Sequence, residues 1–130
     1  CGNVLHVHDL VDFVSEEADR AGKNAAKFVD GGCKAEKSKE IIELKAEGGA
    51  RYTVPSTIDV SKMDDLLTVR FRVGAVYKDA FVNVYVDDNR VMHIKKRIMA
   101  PGEMEQVILQ KSKLEAAGNI KKIIIKVEEE

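Results

Sequence analysis

The chain has 130 residues, with 22 acidic and 21 basic side chains and a formal charge of -1, so no global basic field gathers nucleic acid or an anionic membrane. Hydrophobic residues at 45% and charged residues at 33% exclude a disordered chain; with aromatics at 5% and no Trp, the core has to be Val, Ile and Leu, which suits strands. Two cysteines, Cys1 and Cys33, without a C-x-x-C pair indicate neither a disulfide framework nor a zinc finger, and no apolar run approaches the ~20 residues of a membrane span. A soluble, cytoplasmic protein with no membrane span is the expectation.

The opening Cys1-Gly2-Asn3-Val4-Leu5-His6-Val7-His8-Asp9 reads as a glycine-containing turn running into an amphipathic helix over 9–29. Val11, Val14, Ala18, Ala21, Ala25 and Phe28 recur at helical spacing, and Glu16, Glu17, Asp19, Arg20, Lys23 and Lys27 are assigned to the other side. Asp9 is the expected N-cap and Gly31-Gly32 the stop. Gly22 within a helix costs roughly 1 kcal/mol against Ala, so the small stripe Ala18, Ala21, Gly22, Ala25 predicts a sheet or helix packed closely against it.

Residues 33–40 are polar and lysine-rich and read as a linker. Beyond them the apolar period falls to two: Ile42 and Leu44; Tyr52 and Val54; Leu67, Val69, Phe71 and Val73; Val82, Val84 and Val86; Met92 and Ile94; Val107 and Leu109; Ile123, Ile125 and Val127. Turn signals at Gly48-Gly49, Asp87-Asp88-Asn89, Pro101-Gly102 and Gly118-Asn119 separate them. The predicted fold is mainly β: an immunoglobulin-like antiparallel β-sandwich over 41–130, preceded by a loop and one long helix over 1–32, with one short helix at 111–117.

His6 and His8 stand two apart, the spacing of a metal pair, but no third ligand stands beside them in sequence, which favours local hydrogen bonding or cofactor contact. His93 reads as an exposed strand residue. Both thiols read as inert, and no Walker loop, G-x-G-x-x-G or catalytic Ser/His/Asp order is present. Arg70, Arg72, Lys95 and Arg97 read as solvated outer faces rather than one basic surface, and Tyr77, Phe81 and Tyr85 as an aromatic edge suited to docking.

Cys1-Gly2-Asn3, followed by a loop and a helix with Glu17-x-x-x-Ala21-Gly22-x-x-Ala25-Ala26, resembles the C-terminal FAD-contact motif of the pyridine nucleotide-disulfide oxidoreductase superfamily. The stretch from Cys1 to Asp12 looks like the bacterial FAD-dependent oxidoreductases found beside glycerol-3-phosphate dehydrogenases; Tyr52-Thr53-Val54-Pro55 and Pro101-Gly102-Glu103-Met104 are similar to the extension that follows there. The resemblance implies that 1–32 ends an FAD-binding domain. It implies that Gly2 allows close backbone approach, that Asn3 replaces the usual Asp at the ribityl chain, and that Leu10 and Val11 turn backbone N–H toward the flavin pyrimidine, with His6 and His8 near the isoalloxazine. It further implies a fragment inactive by itself, partnered by the rest of the parent flavoprotein, with the sandwich serving docking, a protein partner or homo-oligomer assembly. The competing expectation is a non-enzymatic β-sandwich binding module, the mature form of a bacterial lipoprotein beginning at Cys1-Gly2.

Overall fold

The computed structural model describes residues 2–31 and 41–129. The linker expected over 33–40, Gly32 and both cysteines lie outside the described residues. The chain divides into two compact units, Cys1–Lys39 and Glu40–Glu130.

In the first unit a 3-10 turn, Gly2–Val4, leads through a loop into helix α1, Val11–Val29. The helix starts later than the sequence suggests: Leu10 is the N-cap, in extended conformation, and Asp9 stands one residue outside. Leu10 has no side-chain oxygen to accept from the first-turn amides, whose positive pole is met by Asp12. On the outer surface, Arg20 pairs with Glu16 and Lys23 with Asp19, both one turn apart. None of the α1 residues is buried, and an added Cβ at Gly22 meets nothing within 4 Å, so the partner expected against the small stripe is not found among the described residues.

The second unit carries eight strands among the described residues: β1 Ile42–Gly48, β2 Ala50–Val54, β3 Thr57–Ile58, β4 Leu66–Val73, β5 Tyr77–Val86, β6 Asn89–Met99, β7 Glu105–Gln110 and β8 Lys122–Glu128. They form a five-stranded sheet, β3-β1-β8-β5-β6, and a three-stranded sheet, β2-β4-β7. A short helix, α2 (Lys111–Ala117), follows β7, where the sequence placed it, and buries Leu114. Period-two alternation sends Val69, Phe71, Val73, Val82, Val84, Val86, Val107, Leu109, Ile123, Ile125 and Val127 into one aliphatic core.

Three details depart from the expectation. First, β1 lies parallel to β8, Glu43 opposite Lys122 through Gly48 opposite Val127, so the sandwich is mixed rather than wholly antiparallel. No hairpin ties β1 to β8, so nothing local fixes their relative direction. Secondly, a register shift between Ala50 and Tyr52 leaves Thr53 buried in β2 along with Ala50, the Thr53 hydroxyl donating to the Leu44 carbonyl at 2.9 Å. Thirdly, β5, which carries Tyr77, Phe81 and Tyr85, is an inner strand between β8 and β6, so these aromatics do not mark a sheet edge. The chain steps from one sheet to the other at Gly48-Gly49. There Gly48 has φ +59 and a Cβ would run into the Val127 carbonyl, so only glycine makes this corner without displacing β8.

Candidate functional site: the histidine loop and the start of helix α1

Among the described residues of the first unit, His6 and His8 are the buried ones, at 6% and 9% exposure. Around them Val4, Leu5, Val7, Leu10 and Val11 are exposed, from 54% to 97%. This inverts the usual preference, because imidazoles are ordinarily less buried than aliphatic side chains.

The alternation has a local cause. In an extended run, residues two apart point the same way, and Glu17 draws the two histidines to its side of the loop. The His8 Nε2 lies 2.9 Å from Glu17 Oε2, and the Gly2 N–H donates to the same oxygen at 3.0 Å. The two imidazole rings meet edge to face, centroids 4.4 Å apart. The His8 N–H makes a long contact, 3.5 Å, to Asn3 Oδ1, and Leu5 N–H closes the 3-10 turn onto the Gly2 carbonyl.

Burial alone would raise the Glu17 pKa; hydrogen bonds from His8 and the Gly2 amide, and positive charge on His8 and His6, outweigh it and hold the carboxyl below its ordinary value. An ionised carboxylate only accepts, so His8 Nε2 carries the proton in this pair. The other ring nitrogen, Nδ1, is buried and has no hydrogen-bond partner.

Of the residues singled out in sequence, Gly2 has φ +68 with open space where a Cβ would stand, leaving its backbone approachable from that side. Asn3 is exposed, and Leu10 and Val11 form the exposed start of α1. Gly2, Asn3 and the histidines belong to one loop held to α1 by Glu17. Glu17 is the residue that sequence reading misassigned. At i+3 from Val14 and i−4 from Ala21 it interrupts the apolar stripe rather than joining the solvated face, and an acid within such a stripe was the available signal.

In the second unit His93 is exposed on β6, as expected, stacked on Phe81 with centroids 4.4 Å apart; its Nδ1 is 2.7 Å from Asn83 Oδ1. Asn83 is buried and also donates to Glu128, beside a cleft of about 180 Å³. Arg70, read in sequence as a solvated outer residue, is instead buried on β4 and Arg72 half-buried on the same strand, while Lys95 lies exposed on β6 of the other sheet, so the basic side chains do not join into one surface. Between the edge strands β6 and β7 an apolar groove of about 400 Å³ is lined by Val91, Met92, Ile108 and, from α2, Leu114. No helix among the described residues is long and apolar enough to cross a membrane.

No family model, no characterised protein and no solved structure matches this chain. The functional reading therefore rests on the residues and their geometry.

Proposed function

We propose that the first unit is the closing loop and helix of the flavin site in an FAD-dependent, NAD(P)-linked oxidoreductase, whose remaining flavin surface belongs to a longer parent polypeptide. The observation that carries this reading is the apolar, exposed start of α1. Leu10 and Val11 present aliphatic surface at 56% and 74% exposure around the first-turn amides of a 19-residue helix. A flavin is a flat apolar ring system with a polar pyrimidine edge, and such a surface suits it: aliphatic contact for the rings, a backbone N–H and the positive helix pole for the edge. Bound FAD would supply two-electron acceptance of hydride from a nicotinamide. In this reading Val11 N–H and the helix pole favour negative charge on the reduced ring. Gly2 leaves room for close backbone approach, Asn3 hydrogen-bonds the ribityl chain, and His6 and His8 lie near the isoalloxazine.

The sandwich is read as immunoglobulin-like, serving docking or subunit assembly. Supporting this, a five-stranded and a three-stranded sheet enclose one aliphatic core, the two-layer architecture that such domains share. The gene extended upstream should give a yellow protein that releases FAD on denaturation, while the 130-residue chain titrated with FAD shows no tight binding. A colourless extended product sinks the reading.

A second reading, a non-enzymatic binding module, is favoured by the groove between β6 and β7. Ile108, 46% exposed at that groove, is the residue to change. Ile108→Glu would abolish partner or self-association in sedimentation without altering flavin content of the extended protein.

A further inference from the structure

The histidine loop presents a donor set that the flavin reading leaves unused, since that reading draws on backbone N–H groups and Asn3. We propose that His6, His8 and Glu17 together bind a divalent transition-metal ion, of which Zn²⁺ is the reference.

One ligand atom from each of the three residues lies within 4.8 Å of the others. Tetrahedral Zn²⁺ with bonds of ~2.0–2.2 Å holds its donors ~3.3 Å apart. The His8–Glu17 pair, at 2.9 Å, already stands near that separation, and side-chain rotation within the loop has only to close the wider edges of the triangle. Two imidazoles and one carboxylate select a borderline cation over Mg²⁺ or Ca²⁺, which take oxygen donors. Three protein ligands leave a fourth position open to water or a ligand.

A second observation points the same way. Two imidazoles, His6 and His8, are buried in a unit that leaves Val4, Leu5, Val7, Leu10 and Val11 exposed. Burying polar rings in place of aliphatic ones is costly unless they are given partners. Ligation through His8 Nε2, the atom that faces Glu17, gives these buried rings a role and explains why polar rings rather than Val4, Leu5 or Val7 occupy the interior of the loop. The three ligands come from both the loop and the helix, so an ion would also clamp one to the other. This site does not depend on flavin, and the two proposals fail separately.

The test is Zn²⁺ titration of the full 130-residue chain carrying Cys1→Ser and Cys33→Ser, so that thiols contribute nothing. Isothermal calorimetry should give one equivalent of Zn²⁺. Side-chain NMR should show the ring resonances of His6 and His8 moving while those of His93, the third histidine of the chain, stay put. Glu17→Gln, which keeps the size and an acceptor oxygen but loses the charge, should weaken binding by more than the ~10–100-fold that loss of an outer-shell partner costs. His8→Ala should do at least as much. Uptake that disappears with the thiols removed, unmoved His6 and His8 resonances in the otherwise native chain, or full affinity in Glu17→Gln each overturn the proposal.

Discussion

Gly22→Ala separates the isolated unit from the flavoprotein reading, because the sign of its effect depends on what covers α1. In the chain as described, Gly22 lies inside the helix and a new Cβ meets nothing within 4 Å. No packing term arises, and the change acts only through backbone entropy: Ala is favoured over Gly in a helix interior by about 1 kcal/mol. Since 1.4 kcal/mol is tenfold in an equilibrium, local opening of the helix should fall about fivefold. Native-state hydrogen exchange of the amides around Arg20 to Ala26, under conditions where exchange reports the opening equilibrium, reads this directly. Unchanged or faster exchange in the 130-residue chain refutes the argument, since it means that the glycine backbone is already in contact with something. In the extended yellow protein the small stripe would be packed, and the same methyl would cost about 1–3 kcal/mol by overpacking. The reversal of sign between the two lengths is the expected signature of a helix cut from its partner surface.

Phe71→Ala, at a site of 0% exposure in the sandwich core, should cost about 3–5 kcal/mol in urea denaturation; a loss below 1 kcal/mol would show that the core is looser than its burial implies. Val11→Pro should leave α1 intact by circular dichroism, because Pro is tolerated at the first helical position and Leu10, at φ -127 and ψ 143, already has the backbone required before it. In the extended protein the missing N–H should lower the flavin potential by roughly 20 mV, equivalent to about 1 kcal/mol for a two-electron couple; an unmoved potential removes Val11 from the site. Glu128 is held below its ordinary value of 4.5 by a hydrogen bond from Lys126, against desolvation, with help from the Lys126 charge and Asn83. A depressed carboxyl stabilises the fold above its unfolded pKa and loses that contribution as pH falls through the folded one. Glu128→Gln should therefore lower the urea midpoint at pH 7 and leave it unchanged near pH 2; an equal loss at both pH values would assign the effect to packing.

The strands were readable from the chain because the face each turns to the core is aliphatic, and a period of two records that directly. Val82, Val84 and Val86, or Ile123, Ile125 and Val127, point to one side and are buried as their alternation requires. The Gly48-Gly49 corner and the helix after β7 were equally legible, since backbone freedom and helix propensity are local properties. The direction of β1 beside β8 was not, because 79 residues separate Glu43 from its partner Lys122 and no turn residue encodes their pairing. The burial of Thr53 escaped for a related reason: the shift of register that turns it inward is a relation between strands.

The histidine loop divides along the same line. Two imidazoles two residues apart, and a glycine turn ahead of a helix, are statements about neighbours in the chain, and the amino-acid order was enough for both. That Glu17, nine positions beyond His8, reaches back to hold its ring and the Gly2 amide was settled only when the loop folded against the helix. A side chain nine residues away becomes a neighbour through the path of the backbone, and that path is fixed by the balance of contacts over the whole unit rather than by any one residue.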